Sequence, residues 1–482
     1  MRIDVPAEIG PPAEIGPVHF VGIGGAGLSA IARLMAQQGI EVSGSDAQES
    51  AVLAALRAEG IRCFVGHAAE HLGAARTVVA STAVREDNPE VVAALDRGLR
   101  LWPRSAGLRS VMLGRRTVAV AGTHGKTTTT AMLTVALRGA GADPSFAIGA
   151  EVAALGTNAR LGHDDVLVAE ADESDGAFLV YSPEIAVVTN VDADHLDTWG
   201  TEEAYAAAFE QFVGTVGDCV VIGLDDPGAA RLVPVAEAAG LQVVTTGLGT
   251  SHGMPDLLGT DLVVDGQTTV LTVRRAGEPD LPLTLSVPGA HYAQDALLAL
   301  AAGLRLGRDP AGLVRGLADH RGAKRRMELL GEAHGVRVVD SYAHHPTEIR
   351  ADLAAARAMA GDGRLVVAFQ PHLVSRTRVY GERMGQELSA ADHVVLADLY
   401  LAREDPDPEV TSAVVAAAVS DVPAVLGGSV EGLPDVLVDE LVPGDLLLTL
   451  GAGDITTVGP RVLAALGNGP EIPAQGNPRI EP

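Results

Sequence analysis

Short apolar segments rich in valine, alanine and leucine recur along the chain, and most of them end at a polar or glycine-rich turn. Residues 118–121 form one such segment. The turn Gly122-Thr-His-Gly125 follows, and then come residues 131–137, whose apolar positions have helical spacing. A β-branched apolar run indicates a buried strand. Similar segments alternate with helical patterns at 41–45, 165–169, 184–190, 336–340, 364–369, 393–397 and 445–450. The pattern predicts the α/β class, in which helices cover mostly parallel sheets.

Composition narrows the class further. The chain has 482 residues, 47% of them apolar, which suggests about three domains. Its net charge of −27 argues against a nucleic-acid or anionic-membrane surface. Cys63 and Cys219 fit neither a disulfide nor a metal pattern, and no apolar run reaches membrane-spanning length. We therefore expect a cytoplasmic protein.

The glycine turn after residues 118–121 is the strongest local signal. A strand, a glycine turn, Lys126-Thr127 and a helix form the arrangement that holds a polyphosphate. Backbone N–H groups and the helix N-terminus face the anion, the lysine supplies positive charge, and the threonine hydroxyl ligates Mg²⁺. Val120 stands where the usual loop has its first glycine, so this is a shorter variant. The alternative is a tight β–α turn with a solvated lysine.

A second glycine motif lies near the N-terminus. Gly22, Gly24 and Gly27 match Gly-x-Gly-x-x-Gly between a strand and a helix over residues 30–37. Asp46 ends the next strand, as in a dinucleotide fingerprint. Either a nicotinamide dinucleotide or another nucleoside diphosphate suits this geometry, and the glycines alone do not separate the two.

Carboxylates follow the segment at 165–169, in the run Glu170-Ala-Asp172-Glu173-Ser-Asp175. Carboxylates at the end of a strand beside a phosphate loop are suited to holding Mg²⁺, and we assign that role to Glu170. The alternative is a solvated acidic turn. His195, in Asp194-His-Leu-Asp197, is a candidate ligand for a second metal ion or a hydrogen-bonded loop histidine.

The C-terminal third places polar motifs at predicted strand ends: Asp340-Ser-Tyr342-Ala-His344-His345, Gln370-Pro-His372-Leu-Val-Ser-Arg376, and Gly451-Ala-Gly-Asp454. Such a cluster is able to hold a small zwitterion, with arginine on the carboxylate and histidine or tyrosine on the amine. A zinc site is the rival interpretation, but the histidine spacing does not suit it. A basic cluster precedes these motifs and is either a contact for a nucleotide phosphate or a carboxylate, or a solvated turn; its residues are Arg321, Lys324, Arg325 and Arg326.

Taken together, these motifs resemble the Mur ligase family over about residues 18–466. The resemblance rests on Gly22-Ile-Gly-Gly-Ala-Gly-Leu-Ser29, Gly122-Thr-His-Gly-Lys-Thr-Thr128, Glu170-Ala-Asp-Glu-Ser-Asp175, Asp194-His-Leu-Asp197, Tyr342-Ala-His-His-Pro-Thr-Glu348, Gln370-Pro-His372, Ser375-Arg-Thr377 and Leu450-Gly-Ala-Gly-Asp-Ile455. The motifs occur in the order that the family has them. That combination is far more specific than any single loop.

The resemblance implies three α/β domains. An N-terminal Rossmann-like domain over 18–112 would bind a UDP-sugar. A central P-loop ATPase-like domain with a parallel sheet, over 113–327, would bind ATP and Mg²⁺, and a C-terminal Rossmann-like domain over 328–466 would bring an amino acid. We expect a disordered tail over 1–17 and a loose tail over 467–482.

The resemblance also implies the reaction, ATP-dependent ligation of L-alanine to the lactoyl carboxylate of UDP-N-acetylmuramate in peptidoglycan synthesis. The carboxylate takes the γ-phosphate to give an acyl phosphate and ADP, and the amine then displaces phosphate. The implied cofactors are ATP and one or two Mg²⁺ ions, with Mn²⁺ as a substitute. We expect a monomer or homodimer with no nucleic-acid or membrane partner.

Matching motif by motif assigns roles to single residues. The UDP-sugar would be bound by Gly22, Gly24, Gly25, Gly27, Ser29, Asp46 and Ser81. ATP would be bound by Gly122, Thr123, His124, Gly125, Lys126, Thr127, Thr128, His291 and Arg325, and metal by Thr127, Glu170 and His195. The amino acid would be bound by Tyr342, His344 and Arg376. The catalytic set would be Lys126, Glu170, His195, His344, His372 and Arg376.

Several positions depart from the family pattern. Tyr292 and Asp295 replace two asparagines near the ATP base, Ser341 replaces an aspartate, and Leu373 replaces an arginine near the amino acid. Sister ligases that add later residues carry a carbamylated lysine where this chain has Phe209, which fits the alanine-adding branch.

Three other functions stay open at this point. A recycling ligase of the same family adds a whole tripeptide to the same UDP-sugar. An NAD(P)-dependent oxidoreductase would use the first glycine motif but leaves the phosphate loop without a role. A non-catalytic nucleotide-binding regulator would result if the C-terminal departures abolish amino-acid binding.

Overall fold

The computed structural model describes residues 3–81, 84–402 and 404–467. Within these residues, the chain divides into two compact units. The first unit comprises 3–263 with 268–323, and the second comprises 264–267 with 324–467. Two sheets lie in the first unit and one in the second. No helix in the described ranges combines the length and apolar character needed to cross a lipid bilayer.

The first sheet has five parallel strands in the order β3-β2-β1-β4-β5. The strands are β1 (Val18–Val21), β2 (Val42–Asp46), β3 (Arg62–Val65), β4 (Thr77–Ala80) and β5 (Arg100–Pro103). The helices are α1 (Pro12–Ile15), α2 (Ala26–Gln37), α3 (Ala51–Ala58), α4 (Pro89–Asp96) and α5 (Arg104–Met112), with a 3₁₀ turn at Ala69–Leu72. The strand order reverses between β1 and β4. Ligands of open α/β sheets bind at such a switch point, beyond the carboxyl ends of the strands.

The segment before β1 corrects one expectation. Disorder was predicted for residues 1–17, yet the structure forms the short helix α1 there. Ile15 is only 2% exposed, and its carbonyl accepts a hydrogen bond from the Thr77 hydroxyl at 2.7 Å. The repeated Pro, Gly and Glu residues obscured Ile15, a large apolar side chain that packs into the core. The predicted loose tail falls mainly on residues 468–482, which lie outside the described residues.

The second sheet has ten strands in the order β15-β14-β13-β12-β11-β10-β6-β9-β7-β8. They are β6 (Arg116–Ala121), β7 (Ser145–Val152), β8 (Thr157–Arg160), β9 (Val166–Glu170), β10 (Ile185–Val188), β11 (Cys219–Gly223), β12 (Gln242–Gly247), β13 (Leu257–Asp265), β14 (Thr268–Arg274) and β15 (Leu281–Leu285). β9 and β10 both pair with β6 in parallel. The turns after these three strands therefore meet at one edge.

The helices of this region are α6 (Lys126–Gly139), α7 (Leu196–Trp199), α8 (Glu202–Val213), α9 (Pro227–Ala230), α10 (Leu232–Ala238), α11 (Ala290–Arg305) and α12 (Pro310–Ala318), with a 3₁₀ turn at Ala177–Val180. Helix α6 is buried on all sides over residues 127–137. Such a helix belongs to the core of a large domain. A Cβ on Gly316 would lie 2.2 Å from the Val135 carbonyl oxygen, so α12 approaches α6 at backbone distance. This packing fixes the helix that follows the phosphate loop.

The third sheet, in the second unit, has the order β16-β17-β21-β18-β19-β20. Its strands are β16 (Glu328–Ala333), β17 (Val336–Ser341), β18 (Leu365–Phe369), β19 (His393–Ala397), β20 (Ala424–Gly428) and β21 (Leu446–Leu450). The helices are α13 (Pro346–Ala360), α14 (Val374–Leu388), α15 (Ser412–Ala416), α16 (Leu433–Glu440) and α17 (Val458–Gly467), with a 3₁₀ turn at Asp454–Thr457. β21 lies between β17 and β18, and both pairings are parallel.

The predicted fold class is confirmed. The segments at 336–340, 364–369, 393–397 and 445–450 match β17, β18, β19 and β21 within one residue at either end. These strands are buried on both faces, so their mostly apolar sequences gave a clear signal.

Candidate active site

The N-terminal glycine turn is fastened to the end of β2. Gly22 and Ile23 donate their N–H groups to the Ser45 carbonyl at 2.8 and 3.0 Å. The Gly24 N–H donates to Asp46 Oδ2 at 2.9 Å. Asp46, predicted to bind the UDP-sugar, therefore lies against the glycine turn and accepts a hydrogen bond from its backbone. Gly25 caps helix α2, whose N-terminus suits an anion.

The remaining predicted UDP-sugar residues differ in access. Ser81 follows β4 and donates its N–H to the Val21 carbonyl, so its Cβ lies beside Gly22. Ser29 is 1% exposed, and its hydroxyl donates to the Ala26 carbonyl at 3.0 Å. Because its side chain is enclosed by protein and bonds to the first turn of α2, Ser29 stabilises the start of that helix.

The phosphate loop follows β6 and needs glycine at its first position. A Cβ on Gly122 would lie 1.9 Å from the Thr189 hydroxyl oxygen, and its φ of +137° disfavours other residues. The His124 N–H donates to Asn190 Oδ1 at 2.8 Å, while Thr123 Oγ1 donates to the Asp192 carbonyl at 2.7 Å. The turn after β10 thus braces the loop, and Thr128 is buried in α6 behind it.

Lys126 lies folded back over its own loop. Its Nζ donates to the carbonyls of Gly122 and Thr123 at 2.6 and 3.0 Å. It also lies 2.8 Å from a carboxylate oxygen of Glu173, whose side chain is fully buried. The hydroxyl of Tyr205 reaches the same carboxylate at 3.3 Å. Glu173 is therefore the counter-ion of Lys126.

The charge of this lysine is protected by its surroundings. Burial alone would lower the pKa of Lys126, but the carboxylates of Glu173, Asp172 and Glu170 outweigh burial and raise it. The ammonium therefore stays charged at neutral pH. A fixed positive charge at the start of a helix is what the terminal phosphates of a nucleotide require.

Thr127 and Glu170 form the predicted oxygen pair. The Thr127 hydroxyl donates to Glu170 Oε2 at 2.9 Å, and the Gly149 N–H donates to the same oxygen at 2.8 Å. A hydroxyl and a carboxylate at the head of a phosphate loop are hard oxygen ligands, so they fit Mg²⁺. The residues present are thus compatible with the divalent ion that the sequence predicted.

His195 occupies a different neighbourhood from that pair. It has a positive φ of +51°, and its Nε2 lies 3.9 Å from Glu173 Oε1 and 3.7 Å from Asp194 Oδ2. The structure therefore brings His195 to the counter-ion of Lys126, while Thr127 and Glu170 contact each other.

Helix α11 carries three of the positions noted in the sequence, His291, Tyr292 and Asp295. His291 packs against the ring of Tyr292 with centroids 4.3 Å apart, and burial lowers its pKa to about 4. Asp295 lies closer to the loop than the family pattern suggested, since a Cβ on Gly125 would meet its Oδ1 at 2.5 Å. An acid beside the N-terminus of α6 is favoured by the helix dipole.

In the second unit, four predicted residues form one contiguous chain at the ends of β17 and β18. His344 Nδ1 lies 2.9 Å from the Tyr342 carbonyl, and the His344 and His372 rings are 5.8 Å apart. Arg376 is 6% exposed and places Nη1 3.3 Å from His372 Nδ1. Tyr400 stacks on His372. The motifs that the sequence placed at neighbouring strand ends are therefore in contact.

Arg325, predicted to bind ATP, contacts polar groups of the protein in this structure. Its guanidinium donates to the carbonyls of Gly451 and Gly453 and lies 3.4 Å from Asp340 Oδ2. It also lies 4.8 Å from the centre of the Tyr342 ring. In this structure, Arg325 ties the turns after β17 and β21 together.

The structure shows the surroundings of Ser341 and Leu373, two positions that depart from the family pattern. The Ser341 hydroxyl donates to Asp352, a buried acid on α13 whose pKa burial raises to about 7. The carboxylate missing at 341 is thus present one helix away. Leu373 has a positive φ of +68° and donates its N–H to the Tyr400 carbonyl at 2.9 Å.

Sequence reasoning missed the partners that hold these groups. Glu173 belonged to an acidic run in which only Glu170 received a role, and Tyr205 carried no motif. Tyr205 bridges Glu173 and the Thr123 hydroxyl, which lies 2.7 Å from its own. No local signal in the sequence pointed to Tyr205, because its hydrogen bonds join residues far apart along the chain.

Three family models match the chain in succession. They are described as the Mur ligase family catalytic domain over residues 17–116, the Mur ligase middle domain over 120–303, and the Mur ligase glutamate ligase domain over 325–453. The two nucleotide-type turns in the first unit and the strand-end cluster in the second lie within these matches. The chain belongs to the Mur ligase family.

Individual relatives within the family give a more specific comparison than the family models. A UDP-N-acetylmuramate–L-alanine ligase of Nocardioides sp. is 58% identical over 97% of this chain and 100% of its own length. The corresponding enzyme of Thermobifida fusca is 49% identical over 93% and 96%. The crystal structure of UDP-N-acetylmuramate–alanine ligase from Thermotoga maritima superposes with a TM-score of 0.79 at 30% identity, covering 93% of this chain and 98% of that one.

Removing the lysine should expose its structural role. Lys126→Ala leaves Glu173 buried without its counter-ion, so we expect the free energy of unfolding to fall by about 3 kcal/mol. Adding Glu173→Gln should recover most of that loss. Urea unfolding of the wild type, both single variants and the double variant measures the coupling. Equal losses in Lys126→Ala and the double variant would contradict the pairing.

The loss of stability in Lys126→Ala should depend on pH, and its direction follows from the pKa of Glu173. Burial raises the pKa of Glu173, and without the lysine its carboxyl binds a proton in the folded state before it does so in the unfolded state. The stability of Lys126→Ala should therefore fall as pH rises, with a larger deficit at about pH 8 than at about pH 5. A deficit independent of pH would show that Glu173 does not carry the effect.

Proposed function

We propose that the protein joins L-alanine to the lactoyl carboxylate of UDP-N-acetylmuramate at the expense of ATP, releasing ADP and phosphate. This is an ADP-forming amide ligation in peptidoglycan synthesis. Full-length similarity to enzymes named for this reaction supports the proposal. The observation that carries it is the phosphate loop with a charged Lys126 and the Thr127–Glu170 oxygen pair, in the same unit as a second nucleotide-type turn.

The chemistry needs activation because a carboxylate does not react with an amine at neutral pH. A carboxylate oxygen attacks the γ-phosphorus, and the bond to the bridging oxygen of ADP breaks. The amine then attacks the acyl carbon and phosphate leaves. Lys126 neutralises charge on the transferred group, and Mg²⁺, held by Thr127 and Glu170, would bind the phosphate oxygens.

We assign the substrates to the domains that the sequence delineated. Residues 18–112 bind the UDP-sugar, residues 113–327 bind ATP and Mg²⁺, and residues 328–466 bind alanine. Arg376 pairs with the alanine carboxylate, and Tyr342, His344 and His372 surround its amine. His195 is proposed as a ligand of a second metal ion, and Mn²⁺ as a substitute for Mg²⁺.

A tripeptide-adding ligase remains the second candidate. A murein peptide ligase of Psychrobacter arcticus superposes with a TM-score of 0.70 at 26% identity, over 94% of this chain and 99% of that one. Phe209, at the position of the lysine that sister ligases carbamylate, packs its ring on Phe178 and Tyr205 with centroids 5.2 and 5.3 Å away.

Release of ADP tests the proposal directly. The protein should release ADP when given ATP, Mg²⁺, UDP-N-acetylmuramate and L-alanine together, and the product should carry one alanine by mass spectrometry. Omission of L-alanine should abolish turnover. Dependence on the tripeptide instead would support the recycling ligase. Tight binding of the UDP-sugar with no turnover would support a regulator, and reduction of a nicotinamide dinucleotide would support the oxidoreductase.

Lys126→Ala should reduce turnover by about 1,000-fold or more, because its charge meets charge that develops during transfer. The double variant Lys126→Ala with Glu173→Gln, which restores stability, should remain as slow. Arg138→Ala is the matched control, since Arg138 is exposed at the other end of α6. Near-normal turnover in the stabilised double variant would refute the assignment of the lysine.

Arg376→Ala should raise the KM for alanine by about 100-fold while the KM for ATP changes little, because a charge-assisted contact to a carboxylate is lost. Arg378→Ala provides the control on the same helix, where Arg378 is exposed and pairs with Asp407. An unchanged KM for alanine in Arg376→Ala would remove this residue from the alanine site.

A further inference from the structure

Arg104 begins helix α5, directly after β5 of the first sheet, and its side chain extends to the acidic turn after β9. Its Nη2 donates to Asp172 Oδ2 at 2.9 Å and lies 3.5 Å from Asp175 Oδ2. A residue of the UDP-sugar domain thus contacts the acidic motif of the ATP domain, within one compact unit.

The two aspartates hold the guanidinium in a defined place. Asp172 uses its other oxygen to accept the Ser174 N–H at 3.0 Å, and Asp175 accepts the Ala177 N–H at 2.9 Å. Each carboxylate is therefore fixed by its own turn. An arginine anchored by carboxylates of fixed orientation loses little freedom when it binds a further group.

The same side chain passes beside the N-terminal glycine motif. A Cβ on Gly27 would lie 3.0 Å from Arg104 Cδ and 3.3 Å from its Nη1. Glycine at 27 therefore leaves room for the arginine as well as for a nucleotide. The guanidinium occupies the space from the start of α2 to the acidic turn.

Part of the guanidinium is available for a ligand. Among the residues that the structure describes, only Nη2 is engaged, which leaves the donors on Nε and Nη1 without an acceptor. The side chain is 21% exposed, so it is not fully enclosed by protein. Burial alone would lower the pKa of Arg104, but Asp172, Tyr181, Asp175 and Glu170 outweigh burial and raise it, so the group is always charged.

The surroundings favour one kind of anion. A nucleoside diphosphate bound at the N-terminus of α2 already faces backbone N–H groups, and Asp172 and Asp175 beside Arg104 would repel a multiply charged group. A single carboxylate suits a partly neutralised arginine better. The acidic turn leads back to Glu170, which accepts a hydrogen bond from Thr127 of the phosphate loop, so this turn connects Arg104 with the loop.

We propose that Nη1 of Arg104, on the edge of the guanidinium that faces Gly27, binds the carboxylate of the UDP-sugar acid and orients it toward the phosphate loop. The inference rests on the proposed ligase function and adds a substrate-binding residue to it. Arg104 screens the carboxylate from the carboxylates of the acidic turn and directs one oxygen to the γ-phosphorus. No bond to Arg104 forms or breaks, and its proton stays in place.

Binding measurements test this role without turnover. For Arg104→Ala, the Kd of UDP-N-acetylmuramate should rise about 10- to 100-fold, because a charge-assisted contact is lost. The Kd of UDP-N-acetylglucosamine, which lacks the lactoyl carboxylate, should stay the same. Equal weakening of both ligands would place Arg104 at the diphosphate and overturn the proposal. No weakening of either would leave it a structural residue and also overturn the proposal.

Trapping the acyl phosphate separates this inference from the proposed function. With hydroxylamine, ATP and the UDP-sugar acid, the wild type should form a hydroxamate; failure of the wild type would defeat the ligase proposal itself. Arg104→Ala should form it at least 100-fold more slowly, and Arg104→Lys should recover only part of the rate, since lysine lacks the planar fork. A hydroxamate rate in Arg104→Ala equal to that of the wild type would refute the inference.

The matched control is Arg109→Ala. Arg109 lies on the same helix and donates to the Tyr181 carbonyl at 2.7 Å, so it also joins the two domains but has no contact with the acidic turn. Thermal unfolding should show similar losses for Arg104→Ala and Arg109→Ala. If Arg109→Ala slowed hydroxamate formation as much as Arg104→Ala, the effect would come from domain packing rather than from carboxylate binding.

Discussion

The arrangement around the phosphate loop depends on one buried ion pair. Lys126 needs a counter-ion because most of its side chain is enclosed, and Glu173 supplies one from the turn after β9. A buried pair of this kind is tolerated only when hydrogen bonds complete it. Tyr205 and the loop carbonyls provide these bonds. The loop, the acidic turn and α8 therefore hold one another in place.

The parallel sheet makes this arrangement possible. β6 has β9 on one side and β10 on the other, so the turns that follow all three strands share an edge. One turn contributes the lysine, another the carboxylates, and the third contributes Asn190 and Thr189 against the loop. The same principle recurs in the second unit, where β17, β21 and β18 bring Tyr342 and His372 into one cluster.

The sequence predicted the strands and the strand-end motifs because both are local signals. Unbroken apolar runs mark buried parallel strands, and glycine turns mark the loops that follow. Long-range partners left no such mark. The acidic run offered four carboxylates, and only the fold determines that Glu173 binds Lys126 while Asp172 and Asp175 bind Arg104. Ile15 was hidden in a Pro-rich repeat for the same reason, since its burial depends on a distant strand.

The resting contacts of Lys126 also bear on how a nucleotide would be accepted. Its ammonium already lies within the loop and already carries its charge, so phosphate binding need neither recruit nor protonate it. A phosphate oxygen has only to replace two neutral carbonyls, which are weaker acceptors than an anion. Glu173 is able to remain in contact throughout. The ion pair thus orients the lysine before the nucleotide arrives, and the preorganisation that transfer requires is part of the folded chain.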